Sequence, residues 1–209
     1  TVGLCGTGSN DLIFDKVFVP GHRMLRISDT RGGPTPGSAA NPGPIFQIPL
    51  YMAFPFNTIG AALGAARGAV DMVAEGLAGR QTVTQVNLAE QQSVQLRIAQ
   101  SAALAETAWN ALQPVRHSIN EDARNNIVPD IMTKAQNRLI LGQSAKLCTE
   151  AMDHLFPLLG GRGLAKGNAV QRAWRDVHAV GQHVGLVWDI QAGQFGRIKL
   201  GLECPDPKL

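Results

Sequence analysis

Cysteine is nearly missing from this chain: Cys5, Cys148 and Cys204 are the three present, and no two of them form a CxxC pair. So odd and sparse a set excludes a disulfide-stapled scaffold and fits reduced thiols in a cytosol, each buried or incidental. Aromatic residues make up 5% and charged residues 17%. The 19 Lys and Arg against 16 acidic side chains leave a formal net charge of +3, and the basic residues are scattered. That excludes the massed positive charge of a nucleic-acid binder. No apolar run approaches the ~20 residues a membrane-crossing helix needs, and the first residues lack the pattern of a secretory signal. Metal ligands are short too. His178 and His183 lie ~140° apart on a helix, so they cannot share a face as an i, i+4 pair does. No Cys or carboxylate cluster accompanies them, and no metal site is expected. A soluble, cytoplasmic protein is the expectation.

What is present divides into three stretches. The chain opens at Thr1, without methionine, directly into apolar runs (Leu12-Ile13-Phe14, then Val17-Phe18-Val19) that read as β-structure over residues 1–27. A domain rarely starts on an inner strand, so a piece of a longer polypeptide is expected. Residues 28–55 read as a loop or linker, its Gly32-Gly33, Pro34, Pro36, Gly37, Pro42, Gly43 and Pro44 supporting no helix. From about Phe56 to Leu209 the pattern is helical. Gly60, Gly64 and Gly68 recur every fourth residue and predict a face where another helix approaches closely. Val94, Ile98, Ala102, Ala105, Trp109 and Leu112 predict a second helix over about Val86–Leu112, closed by Pro114. A third is expected from about Pro129 to Leu159, stopped by Gly160-Gly161. Asn168 suits the cap of a fourth through Arg172–His183. The fold class expected is mainly α, a helical bundle preceded by a β-segment.

Several motifs invite chemistry and lose it on inspection. Gly3-Leu4-Cys5-Gly6-Thr7-Gly8-Ser9 is glycine-rich but does not open a helix as a dinucleotide fingerprint does. Ser144, His183 and Asp189 compose a triad on paper, yet no G-x-S-x-G elbow is present. His22, His117 and His154 carry no pattern that assigns them a role.

Three ordered patterns resemble one family. Gly6-Thr7-Gly8-Ser9-Asn10-Asp11-Leu12-Ile13-Phe14-Asp15-Lys16-Val17-Phe18-Val19-Pro20 is similar to the strand-turn-strand that ends the middle β-domain of acyl-CoA dehydrogenases. Ala78-Gly79-Arg80-Gln81 resembles the family's arginine after the first long bundle helix. Leu159-Gly160-Gly161-Arg162-Gly163-Leu164, followed by Trp174-Arg175-Asp176-Val177, resembles its Gly-Gly turn and Arg-Asp pair. The resemblance spans nearly the whole chain. It implies the end of a middle β-domain (1–27), a loop (28–55) and a C-terminal four-helix bundle (56–209), with a homotetramer as the usual assembly.

The family's dehydrogenases use a glutamate a few residues beyond the Arg-Asp, and that position falls here on Val184, before Gly185. Residues 49–70, where some members place the base instead, hold no Asp or Glu. Valine accepts no proton, so dehydrogenase chemistry has no visible base. The run Trp174-Arg175-Asp176-Val177-His178-Ala179 with His183 is similar instead to the two-component monooxygenase branch. That resemblance implies reduced FMN or FAD supplied by a separate reductase, reaction with oxygen to a C4a-hydroperoxide, and hydroxylation of an aromatic or heterocyclic small molecule. His183 is the implied catalytic residue, deprotonating a phenol or hydrogen-bonding the hydroperoxide, with His178 in reserve. Arg80 is implied at the flavin's phosphate region, and Gly161 and Arg162 in a turn that approaches the cofactor of a neighbouring subunit. Two rivals stand beside this reading: an acyl-CoA dehydrogenase or oxidase of the same fold, and a non-catalytic helical oligomerisation module.

Overall fold

The computed structural model describes all residues, Thr1–Leu209. Its α-helices are α1 (Pro36–Ala40), α2 (Leu50–Leu77), α3 (Gln92–Arg124), α4 (Ile131–Leu155), α5 (Ala169–Gly181) and α6 (Trp188–Lys199), with short 3₁₀ turns between them. None is long and apolar enough to cross a membrane.

Helix α4 is the axis of the bundle, packed against α2, α3, α5 and α6. Its sequence suits enclosure on several faces. Large residues such as Leu141, Met152 and Leu155 are fully buried, and small ones (Ala135, Gly142, Ser144, Ala145, Ala151) let the neighbours approach. A Cβ on Gly142 would lie 3.3 Å from the Leu186 carbonyl oxygen, which is closer than packed carbon normally sits. Ile59, Ala66, Val73 and Leu77 from α2, Ala105, Ala108 and Leu112 from α3, and Val177 and Val180 from α5 complete one continuous core. Where hydroxyls enter it they are satisfied: Ser101 donates to the Ala151 carbonyl at 2.9 Å, tying α3 to α4.

Local chemistry sets the helix starts. Asp130 caps α4, accepting from the Thr133 N–H at 2.7 Å, so Pro129 lies ahead of the cap rather than inside the first turn. Asn168 caps α5 as expected, accepting from the Gln171 N–H at 3.0 Å. Pro114 does not end α3; it sits inside the helix, on the solvent face. The apolar period continues through Leu112, Val115, Ile119 and Ala123, and burial of that stripe outweighs the backbone bond that proline removes.

Two further expectations are corrected. Residues 1–27 form no strand, and the single β-bridge of the chain is Gln81 with Asn87. Leu12, Ile13, Phe14, Val17 and Phe18 are exposed. A strand exists by pairing with another, and nothing in the chain offers these residues a ladder. The start of the segment is nevertheless docked on α5. The Leu4 N–H donates to Asp176 at 2.7 Å and Arg175 donates to the Val2 carbonyl at 2.6 Å. Gly3 permits this approach, since a Cβ there would fall 2.2 Å from the Arg175 carbonyl oxygen. The glycine stripe of α2 likewise has no helix against it within the chain: nothing lies within 4 Å of a Cβ built on Gly60, Gly64 or Gly68.

Replacing Leu141 by Ala should destabilise the protein by about 2–5 kcal/mol, whereas Ile13→Ala, 93% exposed, should change stability by less than ~0.5 kcal/mol. Urea unfolding followed by circular dichroism measures both. Equal effects would mean that the core is not centred on α4.

Candidate functional site

His183 lies in the turn between α5 and α6, and the turn is fixed from both sides. Its N–H donates to the Val180 carbonyl at 2.9 Å, and its carbonyl accepts from the Leu186 and Val187 N–H groups at 2.7 and 2.9 Å. The imidazole stacks at 5.5 Å on the ring of Phe54, from the start of α2. The Gly185 N–H donates to its Nδ1 at 3.2 Å. A backbone N–H only donates, so Nδ1 is the acceptor and the neutral ring carries its proton on Nε2. Glycine is required beside it, because a Cβ on Gly185 would stand 3.1 Å from Pro55 and 3.3 Å from that same Nδ1.

This imidazole opens into a cavity of about 320 Å³ whose walls include Tyr51, Phe54, Val184, Arg138 and Lys208. Val184, the position that corresponds to a dehydrogenase's glutamate, therefore lines the same space as His183. Asp206 is the one carboxylate in the lining, and it is already engaged. Arg138 donates to it at 2.7 Å, Gln194 at 3.1 Å, and the Lys208 N–H at 3.0 Å. Burial alone would raise its pKa, but the Lys208 N–H, the Arg138 guanidinium and the Gln194 amide together outweigh it and hold the group below its ordinary 3.8. It is a poor base.

Arg138 projects from α4 and is 5% exposed. Besides Asp206 it donates to the Lys208 carbonyl at 3.1 Å. One turn earlier, Lys134 donates to the Arg31 carbonyl at 2.7 Å, and Arg31 in turn donates to the Pro207 carbonyl at 2.6 Å. Desolvation, aided by the nearby Arg31 and Arg138 charges, lowers the Lys134 pKa. These contacts fasten residues 205–208 and the glycine-rich loop onto α4, and they build one wall of the His183 cavity.

Arg80, Gly161 and Arg162 lie elsewhere. Arg80 follows the far end of α2 and donates to the Leu159 carbonyl at 3.4 Å. Gly160 there has φ +60° and faces the Arg80 guanidinium, while a Cβ on Gly161 would meet nothing within 4 Å. Arg162 is exposed. Two guanidiniums beside an open glycine turn fit the phosphates of a dinucleotide. Phe54 and Leu77, near the two ends of α2, are about 35 Å apart at 1.5 Å per residue. Arg80 and the Gly160–Arg162 turn therefore lie at the opposite end of α2 from Phe54 and His183.

His178 is placed differently. Its Nε2 is 3.1 Å from Asp153 and its Nδ1 is 2.7 Å from the Trp174 carbonyl. Trp174 donates to the same carboxylate at 2.8 Å. Both imidazole nitrogens are engaged, Nδ1 within α5 and Nε2 across to Asp153 of α4. Ser144 is sealed inside α4, donating to the Ile140 carbonyl, and Cys148 is a buried thiol whose pKa burial pushes up to about 12. Sequence reasoning missed Tyr51, Arg138, Asp206 and Lys208. They are distant in sequence and share no spacing; an arginine among the apolar residues of α4 was the one available signal.

The chain belongs to the acyl-CoA dehydrogenase family: the family model described as Acyl-CoA dehydrogenase, C-terminal domain, matches residues 58–188. Curated relatives that it matches are named as hydroxylases and monooxygenases. It is 35% identical over 216 residues to the FADH(2)-dependent resorcinol hydroxylase, oxygenase component, of a Rhizobium species, covering 97% of this chain and 52% of that protein. The crystal structure of the HsaA monooxygenase from M. tuberculosis superposes with a TM-score of 0.85 at 28% identity, covering all of this chain and 54% of the other. XiaF from Streptomyces, in complex with FADH2 and glycerol, has the same fold at a TM-score of 0.87 and 23% identity, again over 100% and 53% of the two chains. The chain thus spans about half the length of the relatives it matches.

The Arg138–Asp206 pair makes stability pH-dependent. Because the folded carboxylate has the lower pKa, its contribution is complete above 3.8 and is lost as pH falls through the folded value. Thermal unfolding scans should show Asp206→Asn less stable than the parent at neutral pH, with the gap narrowing below that range. A gap that persists unchanged into strong acid would contradict the pairing.

Proposed function

We propose that the protein carrying this chain is the oxygenase component of a two-component, flavin-dependent monooxygenase, using reduced flavin and O2 to hydroxylate an aromatic or heterocyclic small molecule. The observation that carries the reading is the His183 cavity. It offers an imidazole with a free Nε2–H and aromatic walls. Valine occupies the position where a dehydrogenase needs a glutamate, and the lone carboxylate is tied to a guanidinium.

The cavity's residues divide the work. Bound reduced flavin would supply the two electrons that activate oxygen. Phe54 gives flat apolar surface to an aromatic ring. His183, whose Nδ1 is used by Gly185, acts through Nε2 as a hydrogen-bond donor to an oxygen bound beside it, rather than as a base removing a phenol proton. Positioned donors of this kind stabilise charge as it develops. FAD is favoured over FMN by the FADH2 in the relatives' names, and a separate reductase by the words oxygenase component.

Arg80, Gly161 and Arg162 serve the flavin phosphates of a neighbouring copy, because the length of α2 puts them out of reach of their own cavity. The open face of Gly60, Gly64 and Gly68 on α2 gives a second copy a surface for close helix packing, in keeping with a homotetramer. The proposed division of the chain into 1–27, 28–55 and 56–209 shifts at one boundary: α2 begins at Leu50, so the bundle starts there, and the stretch before it, expected to hold no helix, contains the short α1.

A single-turnover experiment on the complete protein tests this. Reduced FAD, oxygenated buffer and a phenol are mixed, and hydroxylated product and hydrogen peroxide are both measured. His183→Ala should lower product by about 10²-fold or more while peroxide rises, and His183→Gln, which keeps a donor, should recover part of the loss. Unchanged product in His183→Ala would remove the histidine from the mechanism.

A further inference from the structure

The cavity of His183 contains one cation without an anion. Its lining holds Arg138, Lys208 and Asp206 as its formally charged groups. Arg138 is neutralised by Asp206 through the ion pair at 2.7 Å. The Lys208 backbone is doubly held, its N–H donating to Asp206 and its carbonyl accepting from Arg138. Its side chain is not. The ammonium stands 5.3 Å from the centroid of the Tyr51 ring, half-buried, and makes no hydrogen bond or ion pair. Lysine is strongly hydrated, and the ring face offsets only part of what burial removes. Among Arg138, Lys208 and Asp206 the cations outnumber the carboxylate by one, and the network that fastens residues 205–208 to α4 fixes them in place.

We propose that Lys208 is a specificity-determining residue that receives an anionic oxygen, carboxylate or phenolate, of an aromatic substrate bound in the His183 cavity, with Arg138 and Asp206 as the residues that position it. This rests on the function proposed above. An apolar cavity of about 150 Å³ suffices for benzene, so the 320 Å³ here accommodates one ring with substituents. The ring rests against Phe54, since Lys208 and Arg138 already lie over Tyr51, and an oxygen anion completes the ammonium's partners. Phenolate has a particular use: with no free base in the lining, a nearby cation favours the ionised phenol, the electron-rich form on which oxygen transfer depends.

The test is equilibrium binding to the complete protein by titration calorimetry, with benzoate and phenol as separate probes, in the parent, Lys208→Met and Lys208→Arg. One of the two probes should bind about tenfold more weakly to Lys208→Met, the loss expected for a charge-assisted contact, while Lys208→Arg stays close to the parent. Loss for benzoate alone identifies a carboxylate. Loss for phenol alone, with its binding no longer strengthening as pH rises, identifies a phenolate. Arg138→Met should weaken the same probe by freeing the tail, and an unchanged circular dichroism spectrum excludes unfolding. Lys208→Met binding both probes as the parent does, or a parent that binds neither, overturns the proposal. If the probes bind through Lys208 yet no phenol is hydroxylated with reduced FAD, the monooxygenase reading fails and the anion site stands.

Discussion

Helix α4 packs against four others, and on its buried side it carries two cations, Lys134 and Arg138, away from water. A guanidinium so placed is tolerable only when an anion and further acceptors meet it. Asp206 and the Lys208 carbonyl do so for Arg138, and the Arg31 carbonyl does so for Lys134. Two segments, the chain around Arg31 and residues 205–208, are held in place by these cations. The cavity wall beside His183 follows from that arrangement. Removing Asp206 alone would strand a buried charge, which is why the pair matters more than its Coulomb energy suggests.

The bundle's length supplies a second constraint. His183 and Phe54 lie at one end of α2, and Arg80 with the Gly160–Arg162 turn lies at the other. On the proposed function the two groups would serve different cofactor molecules, and assembly of copies through the exposed face of α2 would bring them together.

Much of the helical layout was legible because periodicity and caps are local. The stripe through Val94, Ala105 and Leu112 and the Asn168 cap needed nothing beyond neighbouring residues. Pro114 misled because its cost is local while the compensation, burial of Val115 and Ile119, is tertiary. The apolar runs in residues 1–27 read as strands from composition, but pairing is a property of two segments and the second lies outside the pattern. The glycines at 60, 64 and 68 predicted a close helix approach that the chain does not make, because spacing marks a face but not what covers it. For the site, His183 and Val184 were found by resemblance to a motif. Tyr51, Arg138 and Lys208 meet only in three dimensions. The hydrogen bond from Gly185 to Nδ1, which decides the tautomer, leaves no trace in residue spacing.

The account turns on oxygen transfer in a cavity that lacks a base for carbon acids. The most direct measurement uses isotopically labelled oxygen: the complete protein is supplied with reduced FAD, ¹⁸O2 and a panel of phenols, and products are examined by mass spectrometry. The account predicts a hydroxylated ring carrying one labelled oxygen atom. No labelled product, together with reduction of the bound oxidised flavin by an acyl-CoA thioester, would contradict it and assign the chain to dehydrogenation.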